Sequence, residues 1–315
     1  WDLLAQGRKL EAAKVFQAMG QEPRVLAGLA VALLAESDLA QALELSAKAL
    51  SAGNEREKTR ELFYARALAC ARNGGTEGME EAEAQVGWLM EHAPQWGGTF
   101  HAAGVLALVQ GLEDRAVSLF AQAGLPEMGG LDAGLNLAQV LFQQGKREQA
   151  LALAERLVED HPHGGQAWGV LGRLQALSGK LDKGGQSFAR ALKRHPGLPM
   201  AVDGVYGLMT HMVGASRDQR AATDRARIAE TTRIDLEQSL EHSVAQGRGG
   251  YRVLTALGIS LGLRGQGGRG LSCLRRAVRL KPESVAAQAN LARMLLLAGQ
   301  ETRAMDAAWT AIGLS

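Results

Sequence analysis

Small and bulky side chains recur along this chain every 34 residues, and that interval decides most of what it can become. Ala82, Ala116, Ala150 and Gly184 share the spacing, and Val86, Phe120, Ala154 and Phe188 follow four residues behind them. Gly104, Ala138 and Gly172 keep the interval upstream, Leu137 and Leu171 stand just ahead of the last two, and Pro162 and Pro196 close their units. The pattern returns near the C-terminus in Leu236, Gly270 and Ala304, in Leu240, Leu274 and Ala308, and in Leu257-Gly258 against Leu291-Ala292. A repeat of this length is one supersecondary unit that cannot bury its apolar face alone, so successive units must stack on one another.

The composition agrees with helices. Apolar residues make up 46% of the chain but aromatics only 4%, so the apolar content is mostly Ala and Leu, which are good helix formers. Breakers fall between the predicted helices, at Gly7, Asp38, Gly111, Gly145, Gly179, Gly265 and Gly299, where glycine accepts the left-handed conformation that ends a helix. Small residues at Gly172 and Gly184 let the two helices of one hairpin cross closely, while Phe120 and Phe188 fill the wedge between hairpins. Units begin near Pro23, Arg60, Gly97, Leu131, Gly165, Pro199, Tyr251 and Val285, after a partial unit from Trp1 to Glu22. In the unit from Arg60, Asn73-Gly74-Gly75-Thr76 reads as a lengthened turn between helices. In the unit from Pro199, Leu236 arrives about 18 residues late for the period. The inserted stretch, Gly214 to Asp235, is charged and Ala-rich, and Ala222, Ala226, Ala229, Leu236, Leu240 and Val244 lie at helical spacing. It reads as an elongated second helix, either simply overlong with a solvated end or a docking or hinge element. The organisation expected is an N-terminal arm over 1–198, an irregular repeat over 199–250 and two regular repeats over 251–315.

The best unit runs from Gly165 to Leu198 and carries Trp168, Leu171, Gly172, Gly184, Phe188, Ala191 and Pro196. These residues resemble the tetratricopeptide repeat: large–apolar–small in the first helix, small–aromatic–small in the second, and a closing proline. The resemblance covers nearly the whole chain. It implies an all-α, right-handed superhelical solenoid of antiparallel helix pairs, roughly eight repeats long, that binds other proteins on the concave face lined by its first helices. By phase that face holds His101, Val105 and Leu108, then Leu135, Gln139 and Phe142, then Gly169, Arg173 and Ala176, then Asp203 and His211. Arg252, Thr255 and Ile259 follow, and Asn290 and Arg293 close the series. The Lys/Asn/Arg clamp with which some family members hold chaperone C-termini is not reproduced at Leu135, Asn136, Gln139, Gly169 and Arg173. The middle of the face is more apolar than polar. That suits an amphipathic helix or an extended apolar peptide, or else it reflects burial by tight curvature.

Other motifs are weaker. Gly258-Ile259-Ser260-Leu261-Gly262 matches a nucleophile elbow, but it lies inside a predicted helix, whereas that chemistry needs a strand-to-helix turn. Gly265-Gln266-Gly267-Gly268-Arg269-Gly270 matches a dinucleotide fingerprint, yet no strand precedes it. His161-Pro162-His163 is a close pair with no third metal ligand in view. The expectation is a non-catalytic chain without cofactor or metal.

The formal net charge is +2, which gives no general pull toward nucleic acid. The longest apolar run, Val25 to Ala35, is short of the ~20 residues that span a bilayer, so no membrane insertion is expected. Cys70 and Cys273 lie too far apart along an array to bridge. The Ala and Arg content reads as a bacterial gene, leaving cytoplasm and periplasm open. The expected role is a scaffold or adaptor, part of a larger assembly or secretion protein, whose uncapped ends invite self-association. The alternative is the targeting arm of a glycosyl- or sulfotransferase.

Overall fold

A computed structural model describes residues 1–35, 38–52, 59–124, 130–214 and 228–314. The described residues form 18 helices and no strand. The first twelve are α1 (Asp2–Ala5), α2 (Lys9–Met19), α3 (Pro23–Ala35), α4 (Leu39–Ala52), α5 (Arg60–Asn73), α6 (Gly75–His92), α7 (Gly97–Val109), α8 (Glu113–Gln122), α9 (Gly130–Gln143), α10 (Arg147–Asp160), α11 (Gly165–Leu177) and α12 (Leu181–Arg194). After them come α13 (Pro199–Gly214), α14 (Glu230–Ala245), α15 (Tyr251–Leu263), α16 (Gly267–Leu280), α17 (Val285–Leu297) and α18 (Glu301–Gly313). Consecutive helices form antiparallel pairs, and the chain divides into two compact units, 1–170 and 171–315.

The turns repeat as regularly as the sequence does. Gly111, Gly145, Gly179, Gly265 and Gly299 all have φ between 70° and 81°, a region costly for any residue with a Cβ. At each of these turns the following N–H reaches back five residues: Leu112 to the Ala107 carbonyl, Lys146 to Leu141, Lys180 to Gln175, Gln266 to Leu261 and Gln300 to Leu295, at 2.8 to 2.9 Å. That bond satisfies a carbonyl that the helix end would otherwise orphan.

Close helix crossings explain the small residues. A Cβ on Gly184 would lie 3.0 Å from the Gly172 carbonyl oxygen, and one on Gly270 would lie 2.8 Å from that of Gly258. The same two-glycine crossing thus recurs in two hairpins of the C-terminal unit. Phe188, buried in that unit, has its ring against Gly172 of α11 on one side and Gly204 of α13 on the other. It is a wedge between hairpins, as its phase predicts. In the N-terminal unit Phe120 meets Gly104, and Phe16 meets Gly28.

Two expectations change. Gly74, at φ 68°, is the break after α5, Gly75 at φ 71° already opens α6, and the extra residues lengthen α6 to 18 instead. Two positive-φ glycines in succession reverse the chain, and the residues after them join the helix. In the irregular repeat, α14 begins only at Glu230, with Ala229 as its extended N-cap. Ala222 and Ala226, proposed as its continuation, lie outside the described residues. What holds the start of α14 is polar: Asp182 of α12 accepts from the Ala229 N–H at 2.9 Å and from the Thr232 hydroxyl at 2.7 Å.

Candidate functional site

The first helices of the N-terminal unit do not present an open face. His101 and Leu135 are buried, and Val105, Leu108, Gln139 and Phe142 are half-buried. Val105 and Leu108 pack on the cluster around Ala107, Phe120 and Val140. The Gln139 amide turns back to the Leu135 carbonyl at 3.3 Å, and the Arg147 guanidinium sits 5.7 Å from the centre of the Phe142 ring. Residues Gln6–Lys9 pack against the start of α9 and the residue before α11. Gly7 packs so closely that an added Cβ would stand 2.6 Å from Leu131 and 3.1 Å from the Gly164 backbone. Two residues on, the Lys9 ammonium donates to both Asp132 oxygens at 2.8 Å. Only 8% of the Lys9 side chain and 20% of the Asp132 side chain remain exposed.

Beside that ion pair lies a largely buried polar chain. The Asn136 amide is 3.1 Å from His101 Nε2, and His101 Nδ1 is 2.8 Å from the Tyr64 hydroxyl. With the amide as donor, Nε2 accepts and Nδ1 carries the proton toward the Tyr64 oxygen. Burial pushes the His101 pKa down to about 4, against the pull of the Asp132 carboxylate. Desolvation raises the Asp132 carboxyl, but Lys9 above all, with His101 and Arg72, outweighs it and holds it below its ordinary value. At neutral pH the site is therefore a neutral imidazole beside a compensated ion pair.

The C-terminal unit is different. Asp203 and Tyr206 of α13, Tyr251, Arg252 and Thr255 of α15, and Ser284, Ala286 and Ala287 at the start of α17 line a cavity of about 320 Å³. Arg252 Nη1 donates to both Asp203 oxygens at 2.6 and 2.7 Å, and its Nε donates to the Tyr251 hydroxyl at 2.9 Å. This pair is open, with 52% and 47% of the two side chains exposed. Further along α15 and α17, Ile259, Gly262, Leu263, Leu274, Asn290, Arg293, Met294 and Leu297 line a second, apolar hollow of about 60 Å³. Thr255 and Ile259, one turn apart on α15, link the two, and the Tyr206 hydroxyl bonds Asn290 across them. Arg252, Asn290 and Arg293 are thus brought to one face. Arg173 lies exposed on α11, and the His211 side chain lies outside the described residues.

The serine of the elbow-like string has a structural partner. Ser260 is buried in α15 and donates to Glu237 at 3.2 Å, while Arg264 holds the other Glu237 oxygen at 2.6 Å. Gly265 makes a turn between helices, and α16 opens at Gly267. Burial pushes the Cys70 thiol up to about 12, which removes it as a nucleophile near neutrality. No helix among the described residues is long and apolar enough to cross a membrane.

Residues 135–199 and 255–313 match the model of the tetratricopeptide repeat. No curated protein sequence matches the chain. Among solved structures, the APC/C hetero-tetramer Cut9–Hcn1 aligns with 92% of this chain at 11% identity and a TM-score of 0.54, over 52% of its own chain. Yeast Tom70 aligns with 96% of this chain at 14% identity and a TM-score of 0.54, over 58% of its own. The chain spans a little over half the length of these two relatives, and at such identities the likeness is one of fold. Both family-model matches fall where the paired-glycine crossings occur, at Gly172 with Gly184 and at Gly258 with Gly270. Residues 135–199 and 255–313 are tetratricopeptide repeats.

Proposed function

We propose that this tetratricopeptide-repeat chain is a protein-interaction scaffold in which the N-terminal unit is a closed framework and the C-terminal unit does the binding. One contrast carries the reading. The first-helix residues of the N-terminal unit are packed into its interior, with its own Gln6–Lys9 segment against Leu131, Asp132 and Gly164, whereas the C-terminal unit holds a cavity of about 320 Å³ beside an apolar hollow. Repeat arrays recognise partners by extended surfaces. The residues expected to make contact are Arg252, Thr255, Asn290 and Arg293, with Asp203 and Tyr206 beside them. His101, Val105, Leu108, Leu135, Gln139 and Phe142 serve packing instead.

A photo-crosslinking residue placed at Arg293 or at Val105 separates the two faces. Partner adducts are expected from position 293 and not from 105. Equal adducts from both positions, or adducts from 105 alone, would overturn the division of labour.

A further inference from the structure

The near-zero net charge of the chain conceals an uneven distribution. Residues 251–315 carry nine Arg and Lys against three Asp and Glu, although the whole chain has 35 against 33. Some of this excess is spent internally, in Arg264 with Glu237 and Arg269 with Glu241. Arg293 has no ion-pair partner among the described residues. Arg252 uses Nε and Nη1, which leaves Nη2 with no described partner. Lys281 joins them, its ammonium 5.0 Å from the Tyr251 ring centre with the Arg252 guanidinium at 5.7 Å. The acids on this face are Asp203, already paired with Arg252, and Glu283, next to Ser284 in the α16–α17 loop.

We propose that this face takes an acidic amphipathic segment of a partner protein, with an aliphatic side chain in the hollow beside Gly262 and carboxylates against Arg252 and Arg293. The inference rests on the binding role just assigned to the C-terminal unit and names the chemistry of what binds there. The hollow sets the anchor. Its walls are Ile259, Leu263, Leu274, Met294 and Leu297, the last 77% exposed. A Cβ at Gly262 would stand 1.8 Å from Met294 Cε, the flexible end of the thioether that forms this wall, so a larger side chain there would displace it. The open volume is about 60 Å³ and its walls are apolar. It admits an aliphatic tip, with the flexible Met294 able to adjust.

Charge sets the remainder. The Arg252–Asp203 pair is half exposed, and a pair so solvated is worth little, so an incoming carboxylate can share or replace Asp203 at small cost. Arg293 stands on the rim of the hollow itself, where a carboxylate flanking the anchor would meet it. A basic segment would meet Arg252, Lys281 and Arg293, and find only Glu283 as an acid with no ion-pair partner among the described residues. A polynucleotide would satisfy the cations but has no aliphatic group for the hollow.

The test is fluorescence anisotropy with the 1–315 chain and two labelled helical peptides of roughly 16 residues. Both carry leucines at helical spacing, with Glu at the other positions in one and Lys in its counterpart. The Glu peptide is expected to bind at least about tenfold more tightly, and replacing its leucines by Ser is expected to cost about as much again. The exposed double variant Arg252→Glu/Arg293→Glu, its melting temperature checked, is expected to reverse the preference. Equal affinity for both peptides, no binding of either, or a preference unmoved by the double variant overturns the inference. So does a single-stranded oligonucleotide that displaces the Glu peptide with equal effect in the wild type and the Gly262→Leu variant. If crosslinking from position 293 still captures a partner while the charge reversal changes nothing, the acidic chemistry fails and the binding face stands.

Discussion

Two ion pairs sit on first-helix faces of this molecule, and they do opposite things. Lys9–Asp132 joins residues 123 positions apart, is mostly buried, and neighbours a His–Asn–Tyr chain in which His101 and Tyr64 are buried. Arg252–Asp203 is half exposed and borders an open cavity. The same repeat has therefore yielded a core in one unit and a surface in the other. The helices follow the same period in both, so the helix pair itself does not decide the outcome. It depends on whether another segment of the chain reaches the face. In the N-terminal unit Gln6–Lys9 reaches it at Leu131, Asp132 and Gly164, beside the buried His101. In the C-terminal unit Arg252, Asn290 and Arg293 keep their side chains at the surface.

Breaking the buried pair should give the largest effect. Lys9→Ala leaves the Asp132 carboxylate buried without its main counter-charge, which should cost about 3–5 kcal/mol. The double change Lys9→Met/Asp132→Leu removes both charges and should recover most of that loss. Tryptophan fluorescence during urea unfolding reads this unit selectively. Trp1, Trp88, Trp96 and Trp168 all belong to it, and the exposed Trp309 can be replaced by Phe. A Lys9→Ala variant as stable as wild type would mean that the segment does not close the face.

Acid should act on the same unit next most strongly. The folded pKa of His101, about 4, lies below its ordinary 6.5, so the unfolded chain takes up the proton first. The stability this histidine contributes is complete above pH ~6.5 and falls as the pH drops toward 4, by about 3 kcal/mol in all. Asp132, whose carboxyl is also depressed, adds a further loss below its unfolded value as it becomes protonated. Urea midpoints at pH 7, 5.5 and 4.5 should decline in wild type and decline much less in His101→Gln. If both proteins trace the same slope, the buried imidazole is not the acid-sensitive element.

The sequence carried the local plan more fully than the long-range one. Gly111, Gly145 and Gly179 announce their turns by spacing and residue type, and the Gly172–Gly184 crossing is readable because each residue marks its own helix. The wedge role of Phe188 follows from the same phase. Such inferences need only neighbours, and a period describes neighbours. The contact of Lys9 with Asp132 is of another kind. Nothing in the interval says that a segment four units away returns to cover the face, so His101 and Leu135 read as partner contacts when they are interior. Asn136 was visible only as a missing clamp residue, although its amide completes the His101 network. The basic character of the C-terminal unit was legible but averaged away in a net charge of +2. Counting charge by repeat would have shown it.

The smallest expected effect sharpens the comparison most. Arg252→Ala should change stability by less than about 1 kcal/mol, because an exposed pair gains little from Coulomb attraction and costs side-chain order to maintain. A double-mutant cycle with Asp203→Ala should give a coupling energy of the same small size, well below that of Lys9 with Asp132. The two cycles, measured by urea unfolding under one set of conditions, place both faces on a common scale. A small coupling at 252 means that the arginine is not held there by what it does for the fold. Its guanidinium remains free to exchange Asp203 for another carboxylate, which Lys9, fixed in the interior, is not. A coupling at Arg252 as large as that at Lys9 would make both pairs structural and would remove the energetic distinction between a closed face and an open one.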